Sequence, residues 1–304
     1  MKKYFLTFIT LLSVVGLFLI FGTDKIQAKK TLTQGQKKTN ILTSTAWQGT
    51  KVYDKQHHDL TKENQEFIGL AKYDKVSGRY EFFDKKTKQS RGDAGIFFIT
   101  ADGKKRILIS QTKNYQAVVD LIKVSAKKFT YKRMGKDQNG QPTEVFVEHV
   151  PYTKIKLKFS TPKEKLTAKT GKIVKKTDGA ALLAKTLWQG QKVVDQDGND
   201  VTAQNQQFIS LAKFDAKTNK YEFFNPQTGQ SKGDFGYFAV LANNKIRAHV
   251  SLGQNKYGAV LELTEFNPQK FTYKRMGTGL DGQPTTVYVE HVPYKGDLTP
   301  KFSF

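Results

Sequence analysis

The chain has 304 residues, no cysteine, and 50 Lys and Arg against 27 Asp and Glu, for a formal net charge of +23. The lack of cysteine excludes a disulfide framework, a thiolate nucleophile and Cys-ligated zinc or iron–sulfur centres. The length fits one to three domains, and the positive balance points to an anionic partner: nucleic acid, a membrane or an acidic polymer.

In chain order, Lys2 and Lys3 precede an apolar run from Tyr4 to Gly22 that gives way to a polar stretch. This tripartite pattern predicts a secretory signal over residues 1–28, cleaved after Ala28. The run is nearly long enough to cross a bilayer, so an uncleaved anchor is the alternative. Both readings export the remainder, as a secreted or cell-surface protein, and argue against a nucleic-acid partner. Residues 29–44 read as a basic linker.

Self-comparison then reveals a tandem duplication. Thr45-Ala46-Trp47-Gln48-Gly49 returns as Thr186-Leu187-Trp188-Gln189-Gly190, and Tyr80-Glu81-Phe82-Phe83 as Tyr221-Glu222-Phe223-Phe224. After one added residue near Lys256, Phe129 to Gly135 returns unchanged as Phe271 to Gly277, and Glu148 to Tyr152 as Glu290 to Tyr294. Over residues 45–152, 56 of 108 positions are identical, which makes each copy a domain and not a short solenoid unit. The predicted organisation is copy one over 45–153, a Lys-rich flexible linker over 154–185 with a helical turn at Ala180–Ala184, copy two over 186–295, and a tail over 296–304.

Within copy one, short apolar and aromatic runs predict eight strands near 46–53, 67–73, 79–84, 94–100, 105–112, 116–123, 128–134 and 143–150. Tight-turn sequences Lys75–Gly78, Ala101–Lys104 and Asp137–Gly140 separate several of them, and Leu60–Glu66 suits a helical turn. Eight consecutive hairpin-linked strands imply an all-β fold: two tandem eight-stranded antiparallel meander barrels, preceded by a signal helix. A two-sheet sandwich is the runner-up. Alternation turns His149 inward with Val145 and Val147, and Arg133 inward with Phe129 and Tyr131, which makes Trp47 on the closing strand the expected partner of Arg133.

The blocks TAWQG, YEFF, FTYKRMG and VEHVPY resemble an uncharacterised domain family of exported proteins from lactobacilli, enterococci and related Gram-positive bacteria. That resemblance implies location and no particular activity. The Trp-x-Gly on the first meander strand with a late inward Arg is similar to the lipocalin and avidin superfamily, the calycins. It implies that Trp47 with Arg133, and Trp188 with Arg275, stack to close each barrel base. Calycins usually carry Gly before the Trp, whereas here Gly49 and Gly190 follow it.

No HExxH, GxSxG or Walker sequence is present, so no catalytic, cofactor or metal residues are assigned. His149 and His291 are the only histidines shared by the copies, and a buried structural role accounts for them. The shared acids fall mostly in turns or on outward faces. Arg91-Gly92-Asp93 spells an adhesion tripeptide, although a Gly turn with a capping Asp suffices to explain it. The remaining candidates form a ligand pocket in each barrel: Trp47, Tyr80, Tyr131, Arg133 and His149, and their counterparts Trp188, Tyr221, Tyr273, Arg275 and His291. An eight-stranded barrel can equally be filled by its side chains.

The charge divides unevenly, with +4 on residues 29–44, +8 on 154–185, +7 on copy one and only +2 on copy two. Attraction to an anionic envelope polymer is therefore a property of the Lys-rich linkers. The expectation is an exported, non-enzymatic binding module taking a small hydrophobic or mixed ligand in its barrels. A wall-polymer hydrolase and an interaction protein using the barrel exterior are the alternatives. Oligomeric state is left open.

Overall fold

A computed structural model describes residues 31–160, 166–167, 172–174 and 177–304. The predicted signal segment lies outside the described residues. Copy one opens with helix α1 (Gln34–Thr43), followed by β1 (Ala46–Tyr53), β2 (Leu70–Tyr73), β3 (Arg79–Phe83), β4 (Ser90–Ile99), β5 (Lys105–Ser110), β6 (Tyr115–Ser125), β7 (Lys128–Lys136) and β8 (Pro142–Tyr152). Copy two repeats the order as α2 (Gly179–Leu183), β9 (Trp188–Asp195), β10 (Leu211–Asp215), β11 (Lys220–Phe224), β12 (Ser231–Leu241), β13 (Ile246–Ser251), β14 (Gly258–Asn267), β15 (Lys270–Thr278) and β16 (Pro284–Pro293). Each set of eight strands forms a closed antiparallel barrel, with β1 pairing β8 and β9 pairing β16. Closure leaves no unpaired edge, and two tandem eight-stranded meander barrels are the expected architecture.

The turns behave as their residues dictate. Gly78, Gly103 and Gly140 take positive φ at the three tight hairpins, a conformation that costs glycine nothing. A short 3-10 turn, Gln65–Phe67, sits at the end of the stretch expected to be helical. It also explains the glycine that follows each Trp. A Cβ on Gly49 would lie 2.7 Å from the Phe67 carbonyl oxygen, and one on Gly190 2.9 Å from that of Phe208.

Parts of the segments read as flexible linkers are ordered and pack on the barrels. Thr33 caps α1 through a reciprocal box with Gln36, and Asp178 caps α2 through Ala181. Both helices carry buried leucines, Leu42 and Leu183, into the barrel cores. Carbonyls in their last turns receive the indole N–H groups, Trp47 Nε1 to Leu42 O and Trp188 Nε1 to Leu183 O, each at 2.9 Å. The helical turn expected at Ala180–Ala184 is present as α2, whereas charge patterning concealed α1, whose Lys37 and Lys38 look like solvated linker. Further on, Ile173 bridges Phe266 and joins the core of barrel two.

Each barrel also ends in a strap beyond the duplicated block of residues 45–152. Lys158-Phe159-Ser160 corresponds to Lys301-Phe302-Ser303. Glu81 and Glu222, expected on outward faces in water, are fully buried beneath these straps. The Ser303 backbone N–H and hydroxyl donate to Glu222 at 2.8 and 2.7 Å. Ser160 binds Glu81 through the same two groups. Lys72 and Lys213 donate to strap carbonyls at 2.6 Å. A buried carboxylate needs such donors, and hydrogen bonds to an ionised acceptor are the stronger kind. The folded copies therefore run on to residues 160 and 303, beyond the expected ends at 153 and 295.

The barrels pack on each other through equivalent faces. Ile96, Phe98, Ile107 and Ile109 on the exterior of β4–β5 form one buried cluster with Ala239, Ala248 and Val250 of β12–β13. At its margin Ala101 N donates to Asn219 Oδ1 at 2.5 Å and Ala242 N to Val76 O at 2.9 Å. Because equivalent strands face each other, the contact has the self-complementary form of a two-fold interface. This apolar part of the exterior is occupied within the chain.

Candidate functional site

The interior of barrel one holds a cavity of about 300 Å³. Its walls combine aromatic rings, Phe67, Phe82, Tyr115 and Tyr131, with Arg106, Arg133, Asp93 and His149. Arg106 on β5 is 2% exposed. Its Nη1 donates to the Tyr73 hydroxyl at 2.8 Å and its guanidinium lies 4.3 Å from the Tyr131 ring centre, while Nε has no partner. Arg133 stacks on Phe67 at 4.1 Å and donates from Nε to Met134 O at 3.2 Å.

Asp93 does not neutralise these arginines. It accepts from the hydroxyls of Tyr80 at 2.9 Å, Ser110 at 3.0 Å and Tyr115 at 2.7 Å. Burial, reinforced by the neighbouring phenol and Asp93, pushes the Tyr80 hydroxyl well above the ordinary phenol range, and burial together with Asp93 does the same for Tyr115. Both therefore serve as donors. Among the described residues, no carboxylate forms an ion pair with Arg106 or Arg133.

His149 lies flat against Phe129, 4.3 Å between ring centres at 13°, and tilts against Tyr131 at 5.4 Å. Burial, with the Arg106 charge adding to it, pushes its imidazole down to about 3, so the ring is neutral at ordinary pH. Its Nδ1 is buried without a partner. The site thus offers a cationic, hydrogen-bonding wall facing aromatic surface. Among the described residues, no group of three or more His, Asp or Glu is placed to hold a metal ion.

Of the residues expected in the pocket, Tyr131, Arg133 and His149 line this cavity. Trp47 does not: it is fully buried, edge-on to Phe129 at 4.9 Å, and bonded to the helix carbonyl described above. The expected Trp47–Arg133 stack is therefore replaced by Trp47–α1 and Arg133–Phe67. Trp188 and Arg275 repeat the change, with Trp188 edge-on to Phe271 at 5.0 Å and Arg275 over Phe208 at 4.0 Å. Tyr80 is not among the lining residues; its hydroxyl binds Asp93, as that of Tyr221 binds Asp234 in barrel two. His291 stacks on Phe271 at 4.3 Å and meets Tyr273 at 5.4 Å, as its counterpart does in copy one.

The adhesion tripeptide is likewise reassigned. Asp93 is 9% exposed and engaged by three hydroxyls, and Arg91 donates to the Glu66 carbonyl at 3.0 Å, so the two groups are not presented together. Sequence reasoning missed Arg106 and Arg247. On β5, Arg106 alternates with Ile107 and Ile109, and both faces of that strand are apolar and buried, so alternation cannot say which way the arginine points. The available signal was its retention in copy two, where all three residues that follow it differ.

No curated protein matches the chain. Among solved structures, the chain is similar at a TM-score of 0.24 and 9% identity to a protein with unknown function from the DUF3598 family of Nostoc punctiforme. The match covers 87% of this chain and all of that one, and it is too distant to inform fold or function. The family model for a domain of unknown function, DUF4822, matches residues 39–159 and 180–302, taking in the second half of α1, nearly all of α2 and most of both straps. The chain therefore belongs to the DUF4822 family and carries two tandem copies of its domain.

Proposed function

We propose that this protein is an exported, envelope-associated binding module without catalytic activity, whose first barrel takes a small organic anion with an apolar or aromatic body. The observation that carries this reading is the cavity of about 300 Å³, at the lower end of the usual range for small-molecule sites, with two unpaired arginines facing aromatic rings. A buried guanidinium stays charged, so a ligand carboxylate or sulfonate is the complementary group. The signal-like N-terminus supports export. The Lys-rich segment between the copies supports retention by an anionic wall polymer.

A naphthalene sulfonate probe should bind with one-to-one stoichiometry and brighten on binding. Dodecanoate should displace it, and dodecyltrimethylammonium should not. Ala117 lines the cavity, so Ala117→Phe should abolish binding, whereas Ala259→Phe at the equivalent position of copy two should leave it unchanged. Unaltered binding in Ala117→Phe, or equal displacement by the cation, overturns the reading.

A further inference from the structure

Barrel two has changed its interior in a way that isolates a charge. Arg247 occupies the place of Arg106, is 2% exposed, and lies 4.6 Å from the Tyr273 ring centre. Where copy one has Tyr73, whose hydroxyl accepts from the arginine, copy two has Phe214. The acceptor is gone, and both Nε and Nη1 of Arg247 are buried without partners. A second change places His249 where Leu108 stood.

Arg247, His249 and Ser251 are alternate residues of β13 and share its inward face, since Ala248 and Val250 between them pack on the exterior. The Ser251 hydroxyl and the Nδ1 atoms of His249 and His291 are also buried and unpartnered. Asp234 gives Arg247 no relief, since it accepts from Tyr221 at 2.9 Å and Tyr257 at 2.7 Å. Five orphaned polar atoms in one barrel interior, two of them on a cation that cannot shed its proton, are far outside normal practice for buried groups.

We infer that barrel two is a site for a small monovalent inorganic anion, of halide or nitrate size, held by Arg247 with the Ser251 hydroxyl as a further donor. The anion supplies the acceptor that Phe214 removed. Its small size follows from enclosure: Arg247, His249, Ser251 and His291 are each 2% exposed, and no organic body is needed to satisfy them. The inference stands apart from the ligand proposed for barrel one, because it rests on copy two alone.

The test is bromide. Crystals of the full chain grown with bromide should show an anomalous peak within hydrogen-bonding distance of Arg247, and bromide should raise the melting temperature relative to gluconate at equal ionic strength. Phe214→Tyr restores the acceptor of copy one; it should weaken bromide binding at least tenfold and raise the melting temperature in gluconate. Arg247→Met, where it folds, should lose both the peak and the bromide effect. A wild-type interior holding only water, or a Phe214→Tyr variant that binds bromide as tightly as wild type, overturns the inference.

Discussion

Replacing Asp93 by Ala separates a buried structural carboxylate from an exposed adhesion residue. The substitution removes three hydrogen bonds to an ionised acceptor, at 2.9, 3.0 and 2.7 Å. Hydrogen bonds of this kind contribute about 1.5–3 kcal/mol each. The Tyr115 hydroxyl borders the cavity and can recover a water, so the net loss should fall near ~3–5 kcal/mol. For a cooperative unit the size of the two packed barrels, about 2–4 °C per kcal/mol converts this to a fall of roughly 6–20 °C in melting temperature, read by near-ultraviolet circular dichroism. Asp234→Ala provides an internal scale. Asp234 accepts from two tyrosines, and Ser251, the counterpart of Ser110, has no partner, so its loss should be smaller. Arg91→Ala removes an exposed contact to one carbonyl and should shift the melt by under about 2 °C. A melting temperature for Asp93→Ala within about 2 °C of wild type would refute the argument.

Two further outcomes follow from burial and charge. Burial first, and the neighbouring arginine second, push His149 and His291 down to about 3, against about 6.5 in the unfolded chain. Between those values the unfolded state binds protons that the native state does not, so stability is complete above about pH 6.5 and falls as pH drops toward 3. With two such groups the slope approaches ~2.7 kcal/mol per pH unit, and His249, also lowered by burial, steepens it. Urea titrations between pH 4 and 7 should show that slope, flattened in a His149→Phe/His291→Phe variant that keeps the ring stacks; an unchanged slope refutes the assignment. Separately, changing Lys163, Lys165, Lys169, Lys175 and Lys176 to Gln leaves both straps intact and should reduce retention on Gram-positive cells several-fold at 0.15 M salt, where surface charges still act over about 8 Å. Retention equal to wild type refutes a role for the linker charge.

The meander was legible because the strands of copy one are short apolar or aromatic runs, several with a clear period of two, and most turns carry their own residue, as at Gly103 and Gly140. Duplication added what a single copy lacks, namely which positions resist change. The straps were illegible for a physical reason. Lys158-Phe159-Ser160 has no periodicity, and its role appears only when the chain returns to the outer face of β3 to cover Glu81. Helix α1 was hidden by a basic, weakly apolar sequence, whose single deep anchor, Leu42, means little until Trp47 is seen against it. Arg133 and His149 were found because each faces inward on a strand whose opposite face is polar, a contrast that Arg106 on β5 lacks.

Comparing the copies residue by residue separates frame from contents. Trp47, Gly49, Glu81, Asp93, Phe129 and His149 all recur at the equivalent positions in copy two. Each closes a base, admits a tight approach, anchors a strap or completes a buried network. The replacements of Tyr73 by Phe214 and Leu108 by His249 alter the surroundings of one shared arginine, and Lys113 at the cavity wall becomes Gln254. A barrel that needed Arg247 only for packing would gain from an apolar residue there, since replacing a buried, unpaired charge by a well-packed hydrophobe is commonly neutral or stabilising. Retaining the arginine while removing its hydroxyl partner makes sense when something other than the protein provides the acceptor. The two copies are accordingly one scaffold with two different interiors, and binding has to be measured barrel by barrel.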